Sequence, residues 1–153
     1  MFDVTAIGDL LIDMAQSGLS DIGSPIFEAN PGGAPCNVLA MLNKLGRRTA
    51  FIGKVGDDIF GQRLKNIVES TGTDTDGLVL DKDVRTTLAF VETDEHGDRS
   101  FSFYRAPGAD MMLREAEVDT DIIKHSRVLH FGTLSMTHEL SLIHISEPTR
   151  HLR

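Results

Sequence analysis

Two rhythms alternate between Phe2 and Gly72. "FDVTAIG" is a short apolar run closed by a glycine, the pattern of a buried strand. "DLLIDMAQ" mixes apolar with acidic residues and reads as a second, half-exposed strand. In "APCNVLAMLNKLG" the apolar residues Val38, Leu39, Met41, Leu42 and Leu45 recur at helical spacing, and Gly46 supplies the C-cap. "TAFIGKVG" is another short buried strand. "DDIFGQRLKNIVESTG" reads as a helix, capped at its start by the Asp57-Asp58 pair and ended by Gly72. Strand, helix, strand, helix predicts an α/β domain with parallel strands.

The pattern then changes. "TTLAFVET" and "RSFSFYR" are β-rich runs around the turn cluster "DEHGD", which predicts an antiparallel hairpin. With "DLLIDMAQ" and "SPIFEA" it can form a separate small sheet beside the main one. "DTDIIKHS" reads as a short helix, and "RVLHFGTLS" returns as a buried strand. There is no internal repeat and no low-complexity segment.

Composition narrows the function classes. The 153 residues are 41% hydrophobic and 25% charged, enough to bury a core in one domain or part of a larger one. Lys and Arg total 15 against 23 Asp and Glu, a formal net charge of -8, and no basic cluster exceeds Arg47-Arg48. Nucleic-acid binding needs a basic face and is not expected. The single cysteine, Cys36, excludes an internal disulfide and any multi-cysteine zinc site, and reads as a small packed residue at a helix start. His96 lies in the hairpin turn and reads as solvated, and His125 and His130 have no second ligand at metal-ligand spacing, so no metal site is expected. No run reaches the roughly 20 apolar residues of a membrane span. The acidic N-terminus lacks the basic region of a secretory signal, so a cytoplasmic protein is the expectation.

The candidate chemistry centres on "NPGGAPCNV". Adjacent glycines allow main chain to approach something closely. A phosphate is the obvious guest, but neither a G-x-x-x-x-G-K-[ST] loop nor a G-x-G-x-x-G turn after the first strand occurs. Hydroxyl recognition fits better. A sugar presents groups that both donate and accept, and sites for it combine carboxylates, amides and bare backbone. Gly32 and Gly33 offer the backbone, Asn37 an amide in the first helical turn, and Asp13 a carboxylate able to accept from two hydroxyls. Each also has a purely structural reading: a tight turn for the glycines, a helix cap for Asn37, a solvated strand residue for Asp13. Asp9 reads as structural.

These residues sit in longer runs. "GDLLIDM", "PGGAPCNVLAMLNKLG", "AFIGKVGDDIFGQRL", "TTLAFVETDEHGDRSFSFYRAPGADMML" and "VLHFGTLSM" resemble the N-terminal half of a ribokinase-like (PfkB) sugar kinase, over residues 2 to about 139. Gly32, Gly33, Asn37, Gly46 and Gly56 fit the family's first signature. Leu39 departs from it, standing where a small residue is usual. The resemblance implies the N-terminal part of a doubly wound sheet with helices on both faces, plus a small β-sheet lid within about residues 10–29 and 86–105. It also implies that Asp13, Gly32, Gly33 and Asn37 bind the sugar while Phe101, Phe103 and Arg105 close over it from the lid. Plain hairpin packing for the phenylalanines and a surface ion pair for Arg105 are the alternatives. Phe103 and Arg105 are two apart, so a continuing strand would point both the same way.

Within the family, "FSFYRAPGADMML" resembles the fructokinases most, and 2-keto-3-deoxygluconate kinases share a similar Tyr-Arg stretch. The reaction implied moves the γ-phosphoryl of ATP, with Mg2+, to a sugar hydroxyl, fructose first among the sugars. A homodimer through the lid sheet is implied as well. The family's catalytic aspartate and oxyanion amides come from a Gly-Ala-Gly-Asp segment that these 153 residues do not contain. No catalytic residue and no ATP-binding residue is therefore assigned, and this stretch alone is expected to phosphorylate nothing. Ribokinase or another sugar kinase of the family, and a non-catalytic sugar-binding half-protein, are the competing readings. "LSLIHISEPTR" (Leu140–Arg150) resembles the translation of a common transposase sequencing adapter, so residues 140–153 are expected to be a non-native tail after a kinase part spanning 1–139.

Overall fold

A computed structural model describes residues 1–93 and 98–134. His96 and the 140–153 stretch lie outside the described residues. Eight strands and three helices run β1 (Phe2–Ile7), β2 (Leu11–Leu19), β3 (Pro25–Gly32), α1 (Ala34–Lys44), β4 (Thr49–Gly56), α2 (Ile59–Ser70), β5 (Asp74–Asp81), β6 (Leu88–Thr93), β7 (Arg99–Tyr104), α3 (Thr120–Lys124) and β8 (Ser126–Phe131).

Four strands form a parallel sheet in the order β5-β4-β1-β8. Both faces are covered around β4 and β1, whereas β8, expected as a buried strand, lies at the edge with Val128, Leu129 and Phe131 exposed. On one face, Ala6, Phe51, Val55 and Leu78 pack with Leu39 of α1 and Leu64 and Val68 of α2. On the other, Ile7, Ala50 and Ile52 pack with Ile122 of α3, flanked by Leu113 and Val118. Every residue of β4 is buried, which is why "TAFIGKVG" is apolar without alternation. Helix α2 begins as its sequence predicts: Asp58 is the N-cap, accepting from the Phe60 and Gly61 amides at 3.0 and 2.9 Å. Gly46 and Gly72 follow α1 and α2 with φ of 75° and 90°, the left-handed ending that favours glycine.

The other four strands form the lid, in the order β3-β2-β6-β7. The β2–β3 and β6–β7 pairs are antiparallel hairpins, and β2 joins β6 in parallel. Strand β5 is an element that the hydrophobic pattern did not reveal. "DTDGLVLD" carries acids because it lies at an edge of the sheet, and its apolar run is only Leu78–Leu80, preceded by Gly77. A methyl on Gly77 would stand 2.8 Å from Ile52 Cγ1, so the glycine lets β5 approach β4.

Candidate functional site

Strand order reverses beside β1. From β1 the chain crosses to β4 on one side through α1, and β8 lies on the other. The crevice outside the carboxyl ends of strands at such a point is where α/β sheets take their ligands. Pro35, in the first turn of α1, fills it from one side: methyl groups on Gly8 after β1 and Gly132 after β8 would stand 2.6 and 2.8 Å from its Cγ. Asp9 is buried in the same corner, with Oδ1 3.2 Å from the place a methyl on Gly132 would take. Burial pushes its carboxyl above the usual range, its own amide pulls it down, Asp110 and Asp13 raise it and Arg105 lowers it.

The glycine pair packs against chain that precedes it. Gly33 has φ 119°, and a methyl there would stand 2.5 Å from the Asp9 carbonyl oxygen. A methyl on Gly32 would stand 2.5 Å from Asp13 Oδ2 and 2.8 Å from Leu11 Cδ1. Gly33 is therefore bare because the Asp9–Leu10 backbone ahead of β2 lies against it, and Gly32 because β2 does, which seats Asp13. Its carboxylate is half-buried and has no hydrogen-bond or ion-pair partner among the described residues. Burial raises its pKa above the ordinary carboxylate range. Asn37 is exposed on α1, and its backbone amide donates to Gly33 O at 3.3 Å. The N-cap of α1 is Gly33, with no side-chain cap, so Asn37 is not capping the helix.

The lid register puts aromatic rings on Asp13's face. Asp13 is level with Ala89 on β6, and Ala89 with Phe103 on β7; Ala15, Val91 and Phe101 form the next row. Phe101 and Phe103 stack with centroids 6.1 Å apart and planes 15° from parallel, each about half exposed at 53% and 50%. The opposite face carries a separate aromatic row, Phe27, Phe90 and Tyr104. Arg105 comes one residue after β7 ends, so strand alternation does not set its direction. Its guanidinium turns to Asp110, which receives Nε at 2.8 Å and Nη2 at 2.6 Å on Oδ2, and the Thr87 hydroxyl at 2.5 Å on Oδ1. With side chains 11% and 0% exposed, this is a buried pair rather than a surface one. Asp110 lies in the run that resembles fructokinases, where the sequence assigns it no role, and its contact with Thr87, 23 residues away, is made only by the fold.

The arrangement suits a neutral polyol. It offers a seated carboxylate without a partner, an exposed amide, and a stacked aromatic platform. A cavity of about 520 Å³ lined by Asn43, Arg47, Thr49, Thr73 and Asp74 lies at the other end of the sheet, away from these groups. Cys36 is a packed thiol whose pKa burial drives well above the usual range, so it is not a nucleophile. His125 Nδ1 is engaged with Asp121 O at 2.7 Å. No three His, Cys, Asp or Glu side chains are grouped to hold a metal among the described residues, and no described helix is long and apolar enough to cross a membrane.

Comparison with known proteins places the fold in a family. The model of the pfkB family carbohydrate kinases matches residues 1–147, ending inside the stretch that resembles an adapter. Fructokinase-2 of Zea mays is 44% identical over 149 residues, covering 96% of this chain and 42% of that protein. The crystal structure of fructokinase from Xylella fastidiosa superposes with a TM-score of 0.89 at 35% identity, covering 98% of this chain and 47% of that one. An uncharacterized sugar kinase from Pyrococcus horikoshii, solved in complex with ATP, gives a TM-score of 0.86 at 29% identity, over 97% of this chain and 49% of that one. The chain spans less than half the length of the curated relatives it matches, 44% and 42% of two of them.

Proposed function

The chain belongs to the pfkB family of carbohydrate kinases, and from that premise we propose that the complete protein is a fructokinase, moving the γ-phosphoryl of ATP to a hydroxyl of fructose. The observation that carries the reading is the unpartnered carboxylate of Asp13 on the lid face that also bears Phe101 and Phe103. Asp13 accepts from sugar hydroxyls, the aromatic rings cover the apolar face of the ring, and Asn37 donates and accepts at the end of α1. The same lid, closing over the crevice, excludes water from the transferring group.

In this reading the residues described here bind and orient the sugar. The aspartate base and the amides that hold the transferred charge belong to the Gly-Ala-Gly-Asp segment of such kinases, outside these 153 residues. No ligand for Mg2+ is assigned to this stretch. The reading extends to a cytoplasmic homodimer through the lid sheet, for which exposed Leu19, Ile22 and Ile26 of the β2–β3 hairpin supply apolar surface. ATP-dependent phosphorylation by the complete protein, assayed on fructose, ribose and 2-keto-3-deoxygluconate, tests it. The highest kcat/KM is expected for fructose, and absence of transfer to every sugar would overturn it.

A further inference from the structure

Arg105 is a cation placed among the acids beside the crevice, close enough to act on Asp9 together with Asp110 and Asp13. A lone guanidinium there would invite a carboxylated sugar, because its planar fork pairs with a carboxylate through two parallel bonds. In this structure that fork is already taken. Asp110 receives both Nε and Nη2 on a single oxygen and is held on its other oxygen by Thr87. The Asp110 side chain is fully buried, so water does not compete for it.

Three facts of the fold hold the carboxylate in place. Thr87 directly precedes β6 and Arg105 directly follows β7, and these strand ends are paired through Leu88 and Tyr104. Gly108 is bare because a methyl there would run into the Thr87 hydroxyl. The Ala109 amide donates to Arg85 O at 2.9 Å, fixing the turn that carries Asp110. Asp110 is thus built into the base of the lid, and Arg105 cannot leave it without stranding a buried charge.

We propose that Asp110 is a specificity-determining residue: by occupying and neutralising Arg105 it withholds that guanidinium from the ligand, so uncharged sugars are accepted and sugar acids are rejected. Asp9, Asp13 and Asp110 set three carboxylates against one guanidinium, and a fourth carboxylate on the ligand would meet net negative charge. Discrimination of this kind needs a repulsive element as well as an attractive one. The proposal rests on the reading of this site as a sugar site.

The test uses the complete protein and compares fructose with 2-keto-3-deoxygluconate in turnover, and fructose with gluconate in calorimetric binding. Asp110→Asn keeps the shape and removes the charge. It is expected to lower the ratio of kcat/KM for fructose over the sugar acid at least about tenfold, with the binding ratio moving the same way. Adding Arg105→Gln to Asp110→Asn should abolish the gain, because the gain needs the freed guanidinium. A ratio that stays at the wild-type value in Asp110→Asn, or a gain that survives in the double variant, would overturn the proposal. If Asp110→Asn does not fold, Asp110→Ser likewise removes the charge while keeping a polar group near Thr87; a swing in the same direction supports the proposal, and none overturns it. A wild-type protein that binds fructose but transfers no phosphoryl group would overturn the kinase reading instead, while the binding ratio would still decide the role of Asp110.

Discussion

Asp13 on β2 and Phe103 on β7 stand two strands apart on one face of the lid, each level with Ala89 of β6 between them. Ala89 itself is only 1% exposed, so neighbouring groups cover it between the carboxylate and the ring. On the proposed reading the carboxylate serves the sugar as an acceptor and the ring as a π-face.

Removal of the acceptor should be costly. In the complete protein, Asp13→Ala is expected to lower kcat/KM for fructose at least about tenfold, since a buried hydroxyl left without its acceptor costs about 1–3 kcal/mol. The KM for ATP should stay within about twofold. Steady-state kinetics with both substrates varied would show this, and wild-type fructose kinetics would return Asp13 to being an ordinary strand residue.

Gly33→Ala should damage the site through the backbone. The left-handed φ costs a residue with a Cβ roughly 1–2 kcal/mol. The overlap with Asp9 O adds about 1–3 kcal/mol more. Gly46→Ala is the control: its φ is also positive, at 75°, but nothing lies within 4 Å of the added methyl, so only the first cost applies. Thermal melts should rank wild type, Gly46→Ala and Gly33→Ala in that order. Equal loss in the two variants would mean that the Asp9 contact relaxes freely.

The same residues show what the sequence made legible. Helix spacing, the Asp58 cap and the closing glycines are local, so the pattern of α1 and α2 carried them. The β-rich runs of β6 and β7 around a turn cluster, with the mixed run of β2 and "SPIFEA" in β3, suggested a small separate sheet, and the family resemblance made it a lid. Strand β5 was hidden because an edge position tolerates Asp74 and Asp76, which disguise its short apolar centre. Glycines 32 and 33 read as open backbone for a ligand, and their faces turn out to be filled by Asp13 and Asp9 of the same chain. The partner of Arg105 could not be read from spacing: Asp110 is reached only through the turn after β7, and Thr87 only through the β6–β7 register.

Asp58 should couple α2 to the lid hinge and make stability depend on acid. Besides capping α2, its Oδ2 accepts from the Thr86 amide at 2.9 Å and its Oδ1 from the Thr86 hydroxyl at 2.8 Å. Burial raises its pKa, and the hydrogen bonds from Thr86, Gly61 and Phe60 outweigh that, leaving it below the ordinary value. A carboxyl depressed in the folded state stabilises above its unfolded pKa, and the contribution is lost as pH falls through the folded value. Asp58→Ala is expected to cost about 1–2 kcal/mol for the cap alone at pH 7. The gap between wild type and variant in chemical denaturation should close below about pH 3. A gap independent of pH would show that the lost contribution was packing.

Lys54 is expected to behave asymmetrically. Its ammonium is 1% exposed and touches Asp81 at 3.1 Å and Glu117 at 2.7 Å, whose side chains are 15% and 28% exposed. The carboxylates lie within reach of water and the ammonium does not. Removing the cation by Lys54→Met leaves two anions that solvent can partly hydrate. Removing both anions by Asp81→Asn with Glu117→Gln strands a charge inside the sheet, which costs about 3–5 kcal/mol. The double variant should therefore unfold at lower denaturant than Lys54→Met, although it keeps more of the hydrogen-bonding atoms. Acid should mimic it. Hydrogen bonding from the Asp83 amide, against burial and with help from Lys54, depresses Asp81; burial raises Glu117, and Lys54 and the Arg114 amide bring it below its usual value. Both contributions are present above the ordinary carboxylate range and disappear as pH falls through the depressed values. Lys54→Met, having no buried cation to strand, should lose less stability than wild type between pH 5 and pH 3; equal acid sensitivity in the two proteins would exclude Lys54 as the cause.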